Sequence, residues 1–333
     1  MQNIKQPIDP NDARVFSGRS NPVLAKKIAD YLQLPLDETH VSRFSNDNLF
    51  VQLGASVRGR VVYIVQSLVP PVSDHLVELL MMLDIAKSAA AREVHAIVPY
   101  FSYARSDKKD APRVSITARL VADLLATSGA THFMTMQLHS PQVHGFFSMP
   151  ADPLTARGLF ANYFRPRSYT PEDTVVVAPD VGGAKSSGRL ARMLGLPVAS
   201  ANKTRVSDTQ VEIGGLIGRQ VKGFRRAIVH DDEIATGGTV LDLCDLLVEQ
   251  GIEEIFLVCS HGLFLGDALP RILAFPQIRE IVTTDTVPRT AENKPDNMVI
   301  LSTASVFGGA IHQNYYRRSI GELFDFGHGS EDE

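Results

Sequence analysis

Short apolar runs rich in Val and Ile recur along the chain and alternate with longer stretches in which apolar residues fall at helical spacing. Residues 61–66, 94–99, 133–137, 174–178, 227–230, 255–259 and 280–284 read as buried strands. Nearly every position in them is apolar, as in Thr174-Val-Val-Val-Ala178. A strand covered on both faces needs that continuity, so the pattern predicts parallel sheet. Between the strands, residues 74–91, 116–128, 184–194 and 239–250 have the periodicity of amphipathic helices. Ser73 or Asp74 is placed to cap the first helix, and Gly251 stands where a helix C-terminal glycine belongs. Strands alternating with helices of this length predict an α/β architecture. The succession strand, polar loop, helix, strand occurs over 60–100 and again over 226–261, which predicts two similar domains. Their expected extents are 1–153 and 154–305. The amphipathic segment 306–326 is expected to pack back on the first domain, and 327–333 to form a disordered tail.

Composition bounds this picture without altering it. The 333 residues correspond to roughly two domains. An apolar content of 44% and a charged content of 21% describe an ordinary globular protein. No apolar run approaches the ~18 residues of a membrane-spanning helix, and the start MQNIKQPIDPNDAR lacks the apolar stretch of a signal peptide. Cys244 and Cys259 lie inside apolar runs at no metal or redox spacing. These features predict a cytoplasmic protein and exclude a disulfide scaffold or a structural zinc knot. A net charge of -4 argues against a surface built for nucleic acid, so neither nucleic acid nor membrane is an expected partner. Locally positive clefts can still take anionic substrates.

The chemistry concentrates in His230-Asp-Asp-Glu-Ile-Ala-Thr-Gly-Gly-Thr239, which follows a strand and opens a helix. Backbone N–H groups of Thr236, Gly237, Gly238 and Thr239 can point at one phosphate, helped by the threonine hydroxyls and the helix dipole. Asp231 and Asp232 supply carboxylates for a pair of sugar hydroxyls. Phosphate binder and diol binder on one loop describe a ribose 5-phosphate site at the C-terminal end of a strand.

This loop resembles the ribose 5-phosphate loop of the type I phosphoribosyltransferase fold. The chain as a whole resembles the ribose-phosphate diphosphokinases, also called phosphoribosyl pyrophosphate synthetases. The segments that carry the resemblance are collinear with the family pattern: Val15-Phe-Ser-Gly18, Arg43-Phe-Ser45, Pro99-Tyr-Phe-Ser-Tyr-Ala-Arg105, Leu138-His-Ser-Pro-Gln-Val-His-Gly-Phe-Phe147, Ala178-Pro-Asp-Val-Gly-Gly183 and Glu322-Leu-Phe324. The resemblance implies two tandem phosphoribosyltransferase-like α/β domains, each a mostly parallel sheet flanked by helices. It implies transfer of the β,γ-diphosphoryl group of ATP to the 1-hydroxyl of ribose 5-phosphate, with Mg²⁺ as cofactor. It also implies a homo-oligomer, built on hexamers or their dimer unit, with active sites drawing on adjacent subunits.

Site residues transfer only where they match. The resemblance makes His139 and Asp180 the metal-associated positions, with His139 also an ATP contact and a catalytic residue. Carboxylate oxygen suits Mg²⁺ and imidazole suits it poorly, so His139 is expected to act partly through phosphate or water. Lys203 and Arg205 match the basic residues of the catalytic loop, with Arg205 also reaching ribose 5-phosphate. Two cations a residue apart on one extended loop can stabilise a transferring phosphoryl group. Asp180, Gly182 and Gly183 match the diphosphate loop. Phe44, Asn46, Asp47, Asn48, Arg105 and Ser106 fall at ATP-contact positions, and Asp231, Asp232, Ala235, Thr236, Gly237, Gly238 and Thr239 at ribose 5-phosphate positions. Lys108, Lys109 and Arg113 read equally as an ATP grip or a solvated face.

Several positions depart from the pattern. Asn46 and Asn48 stand in a segment where Phe-Ser-Asp-Gly-Glu is common, although an Asn carbonyl can still accept from an adenine amino group. Ala235 replaces a common Asp, Ser106 a common Gln, and Lys185-Ser186-Ser187 replaces a Thr-Arg-Ala often seen. His144 has no assigned role. Two other readings compete: a phosphoribosyltransferase, and a catalytically weak regulatory member of the family.

Overall fold

The computed structural model describes residues 6–205, 211–218, 221–290, 292 and 294–321, with 202–205 and 211–218 described as backbone alone. Contacts divide the chain into two units. One comprises Met1–Thr155, Thr286–Pro288 and Ser302–Glu333, and the other Ala156–Asp285 with Arg289–Leu301. The expected divisions at 153 and 305 thus fall a few residues away, and a short piece near residue 287 joins the first unit.

The first unit begins with β1 (Ala13–Ser17), α1 (Pro22–Leu32), β2 (Leu36–Asp37), β3 (Thr39–Arg43), β4 (Leu49–Leu53) and β5 (Val61–Val65). It continues through α2 (Val72–Ser88), β6 (Glu93–Val98), α3 (Thr117–Ser128), β7 (His132–Met136) and β8 (Ala151–Leu154). Six strands form a parallel sheet in the order β2-β1-β5-β6-β7-β8, while β3 and β4 pair separately as an antiparallel hairpin. Every residue of β5 and β7 is buried, as continuous apolarity predicts for strands covered on both faces. One correction concerns α2. It starts at Val72 after Pro71 with no side-chain cap, so Ser73 and Asp74 lie inside its first turn. There Asp74 favours the helix dipole and pairs with Arg43 of β3.

The second unit runs α4 (Arg157–Phe164), β9 (Thr174–Ala178), α5 (Ala184–Leu194), β10 (Val198–Arg205), β11 (Val211–Gly218) and β12 (Arg226–Ile234). It continues with α6 (Gly238–Glu249), β13 (Glu254–Gly262), α7 (Ala268–Leu273), β14 (Ile278–Thr284) and β15 (Met298–Leu301). The sheet order is β11-β10-β9-β12-β13-β14-β15, parallel except for the β10–β11 pair. Leu243, Cys244 and Leu247 of α6 pack on Val229, Leu257 and Cys259 in one buried cluster. Both cysteines are free, and burial raises each thiol to about 12.

The last helix, α8 (Ala304–Tyr315), returns to the first unit and packs on α1. Gly308 permits that approach, because a Cβ there would stand 2.2 Å from the ring of Tyr31. Phe307 is fully buried, a transfer that favours folding by about 1.5–3 kcal/mol. The expected tail at 327–333, and the end of the expected segment 306–326, lie outside the described residues.

The echo seen in the sequence is a shared topology. In each unit the chain passes from a central strand to one side (β1 to β2; β9 to β10) and then returns to pair on the other side (β5; β12). Such a switch point opens a crevice at the C-terminal ends of the two central strands. In the first unit its own side chains occupy this place. Gln66 Oε1 accepts from the Ser20 backbone N–H at 3.0 Å and hydroxyl at 2.7 Å, and buried Glu78 accepts from the backbone N–H and Nε of Arg19 at 2.6 and 2.8 Å.

Candidate functional site

In the second unit the loops that follow β9 and β12 meet at the switch point, because those two strands are hydrogen-bonded neighbours. The β9 loop carries Asp180, Gly182 and Gly183. Asp180 Oδ1 accepts the Gly183 N–H at 2.8 Å, closing the turn into α5, which has no other side-chain cap. The β12 end carries Asp231 and Asp232, with Asp231 Oδ1 accepting the Asp232 N–H at 2.8 Å. Burial pushes the Asp231 carboxyl well above the ordinary carboxylate range, and the charges of Asp232 and Asp180 push it in the same direction. Asp180 and the distant pair Asp231–Asp232 therefore share one electrostatic neighbourhood.

Beyond them, residues 235–239 turn into α6. Gly237 is the residue before the helix, at φ +75° and ψ -6°, and no side chain caps the helix there. A Cβ at Gly237 would sit in the left-handed region and 3.3 Å from Ile272 Cδ1, so glycine is required both for the turn and for the approach to α7. The uncapped N-terminus of α6 presents backbone N–H groups and a positive dipole end beside the acidic pair. Ala235 takes part through its carbonyl, which accepts the Leu265 N–H at 2.8 Å.

Lys203 and Arg205 were expected on an extended loop, and here the backbone corrects that expectation. They belong to β10, whose pairing with β9 covers Val198–Ser200 alone. The remainder of β10 pairs antiparallel with β11, Lys203 opposite Ile213 and Arg205 opposite Val211, with a register shift between Ala201 and Lys203. Both basic residues thus lie on a two-stranded ribbon that runs on past the C-terminal end of β9.

In the first unit Arg105 ends a short 3₁₀ turn (Ser102–Arg105) after β6, and Ser106 follows with its N–H bonded to the Tyr103 carbonyl at 2.9 Å. His139 is exposed after the neighbouring strand β7, so both belong to the C-terminal edge of that sheet. Lys108, Lys109 and Arg113 are exposed on the loop that follows Arg105. His144 has a structural partner: its Nε2 lies 2.9 Å from the Ala151 carbonyl at the start of β8. Phe44, Asn46, Asp47 and Asn48 form the turn of the β3–β4 hairpin, a small sheet of its own. Phe44 is exposed and stands edge-on to Phe50 at 5.7 Å. Asn46 Oδ1 accepts the Asn48 N–H at 3.3 Å, so part of its acceptor capacity is used within the turn.

Among the described residues no group of three or more His, Cys, Asp or Glu is arranged to hold a metal ion by itself. Clustered carboxylate oxygens that repel one another nevertheless suit a hard divalent cation that takes its remaining ligands from water and substrate phosphate. Asp180 fits such a role. His139 belongs to the other unit and offers the softer donor. No described helix is long and apolar enough to cross a membrane.

Sequence reasoning missed two buried polar residues beside this site. Ser187 of α5 and His230 of β12, both essentially unexposed, are hydrogen-bonded to each other. Ser187 stood in a segment noted for its departure from the family pattern, and that was the available signal.

Known proteins share this architecture. Residues 13–129 match the family described as the N-terminal domain of ribose phosphate pyrophosphokinase, 152–266 the phosphoribosyl transferase domain, and 215–325 the phosphoribosyl synthetase-associated domain. A relative from Streptomyces coelicolor is 50% identical over 314 residues, covering 94% of this chain and 98% of the relative. Ribose-phosphate pyrophosphokinase of Fusobacterium nucleatum is 39% identical, covering 96% and 100%. The crystal structure of phosphoribosylpyrophosphate synthetase from Mycobacterium smegmatis superposes with a TM-score of 0.84 at 35% identity, over 92% of this chain and 99% of that one. With two α/β units, a phosphate-type loop at one switch point and relatives matched along nearly their whole length, the chain belongs to the ribose-phosphate pyrophosphokinase family and is an enzyme of that kind.

Proposed function

We propose that the second unit holds ribose 5-phosphate and that its 1-hydroxyl attacks the β-phosphorus of ATP, giving phosphoribosyl diphosphate and AMP. The observation that carries this reading is the meeting of the Asp180 loop, the Asp231–Asp232 pair and the uncapped N-terminus of α6 at one switch point. In it, the N–H groups of residues 236–239 hold the 5-phosphate, and Asp231 and Asp232 accept from the ribose diol. The loop of Asp180, Gly182 and Gly183 receives the diphosphate. Lys203 and Arg205 supply positive charge where the β-phosphoryl oxygens become more negative in the transition state. Arg105, Ser106 and His139 hold the ATP phosphates, and Phe44 stacks on the base with Asn46, Asp47 and Asn48 around it.

Mg²⁺ is the metal that hard carboxylate oxygen and a triphosphate substrate suit best; Asp180 would be its protein ligand, and the family resemblance also assigns His139 to it. When bound it neutralises phosphate charge and so eases attack by the hydroxyl. The working enzyme is a homo-oligomer whose sites combine residues of adjacent subunits, a reading supported by the family resemblance, and its substrates place it in the cytoplasm.

The test is direct. Purified protein with ATP, ribose 5-phosphate and Mg²⁺ is expected to release AMP and phosphoribosyl diphosphate in equal amounts. Lys203→Ala is expected to lower kcat about 10²–10³-fold. Absence of AMP from the wild type, or full activity in Lys203→Ala, would overturn the assignment.

A further inference from the structure

Behind the carboxylates, the two segments of the site are joined by a buried contact. Ser187 lies one helical turn after Gly183, and its N–H bonds the Gly183 carbonyl at 3.0 Å. Its hydroxyl is 3.2 Å from the His230 carbonyl and 3.0 Å from His230 Nδ1. The His230 carbonyl belongs to the peptide bond whose nitrogen is that of Asp231. A single side chain of α5 therefore grips the peptide that immediately precedes the acidic pair.

Proton inventory decides the direction of both bonds. A serine hydroxyl has one hydrogen, and a carbonyl can only accept. Both contacts are satisfied together when the Ser187 hydroxyl donates to the His230 carbonyl and the His230 Nδ1–H donates to Ser187 Oγ. This fixes the imidazole as the Nδ1–H tautomer, with Nε2 bare and buried without a hydrogen-bond partner. The ring is enclosed, edge-on to Phe160 at 6.0 Å, and Arg157 of α4 adds positive charge nearby. Burial and Arg157 oppose a second proton and outweigh the pull of Asp232 toward one, so the ring stays neutral near pH 7. The alternative for such a location is a pair of aliphatic side chains. They would fill the space without desolvating polar groups, but would leave the His230 carbonyl without the Ser187 donor and the His230–Asp231 peptide held only by the β12–β13 ladder.

We propose that Ser187 and His230 are positioning residues for the reaction, a hydrogen-bonded clasp that holds the Asp180 loop and the Asp231–Asp232 strand end in mutual register. Asp180, Asp231 and Asp232 crowd acidic groups at this point, and the clasp ties together the two segments that carry them. The functional part of this inference rests on the second unit being the ribose 5-phosphate site. The structural part does not.

Ser187→Ala and His230→Val remove the clasp, whereas Ser187→Thr keeps the hydroxyl and His230→Asn keeps an N–H donor where Nδ1–H stands. Loss of the clasp is expected to raise KM for ribose 5-phosphate about tenfold, the range seen when a group that orients a ligand-bearing residue is lost, with a smaller change in KM for ATP. The two conservative variants are expected to stay within about twofold of wild type. The double variant Ser187→Ala with His230→Val is expected to lose no more than either single change, because both break one contact. Amide exchange read by mass spectrometry is expected to quicken at residues 180–183 and 231–234 in Ser187→Ala, whether or not the protein is active. If Ser187→Ala does not fold, the comparison of His230→Val with His230→Asn makes the same test. Unchanged KM and exchange in a folded clasp variant, or additive losses in the double variant, would overturn the proposal. Faster exchange in a protein whose wild type makes no AMP would keep the clasp and reject the assigned reaction.

Discussion

Asp180 Oδ1 accepts the Gly183 N–H at 2.8 Å, so one carboxylate both closes the turn into α5 and lends its charge to the Asp231 neighbourhood. Two substitutions separate these roles. Asp180→Asn keeps an acceptor for Gly183, whereas Asp180→Ala removes both acceptor and charge. Thermal unfolding is expected to show Asp180→Ala less stable by about 1 kcal/mol and Asp180→Asn close to wild type. AMP release is expected to fall in both, since the charge is gone from each.

Gly237 joins the phosphate loop to α6 at φ +75°. Gly237→Ala places a Cβ in the left-handed region beside Ile272, at a cost of about 1–2 kcal/mol. Chemical denaturation should report that loss, and KM for ribose 5-phosphate should rise more than KM for ATP. An alanine variant with unchanged ribose 5-phosphate affinity would count against the loop as its phosphate binder.

Asp231 makes the folded protein sensitive to pH in an unusual direction. Its carboxyl titrates above the ordinary value of 3.8, so over the intervening range the folded state keeps a proton that the unfolded state has released. Stability contributed by this group is complete below the ordinary value and is lost as pH rises through the raised one. Asp231→Asn is therefore expected to be more stable than wild type at neutral pH, with the advantage shrinking on acidification, as read by thermal melts across pH. The same variant should lose ribose 5-phosphate binding in calorimetry.

His230 acts with the opposite sign. Burial lowers its pKa from 6.5 to about 4, so between these values the unfolded state takes up a proton that the folded state refuses. Its contribution is present above pH 6.5 and declines as pH falls toward 4. In an Asp231→Asn background, which removes the competing titration, adding His230→Val should flatten the loss of stability over that window. An unchanged slope would mean that His230 is protonated in the folded protein.

Much of the scaffold was legible because its physical cause is local. Val175, Val176 and Val177 had to be a strand buried on both faces, and residues 184–194 had to be a helix with one apolar side. Gly237 and Gly238 after an acidic pair marked a turn from strand into helix N-terminus and so a candidate phosphate loop, because only a narrow set of residues makes that turn. Other pieces were not legible. The strands β10 and β11 carry small and polar residues, such as Ser200, Ala201, Gly214 and Gly215, and they acquire strand geometry by pairing with each other. Asn21, whose side chain accepts the Leu24 N–H, and Pro22 at the first helical position mark the start of α1.

Local pattern and ordered motifs thus determined that this chain forms two α/β units, which residues are candidates for its chemistry, and which family it resembles. Which of those residues meet was decided by tertiary structure, through strand order. Asp180 and Asp231 share a site because β9 pairs with β12, while β10 and β11 are laid to the other side. The same order seats Ser187 against His230 and removes the ring from water, so that a histidine next to an acidic pair stays neutral. Periodicity reports the environment one element needs, but pairing between distant strands and the pKa of a group between them depend on what packs around it.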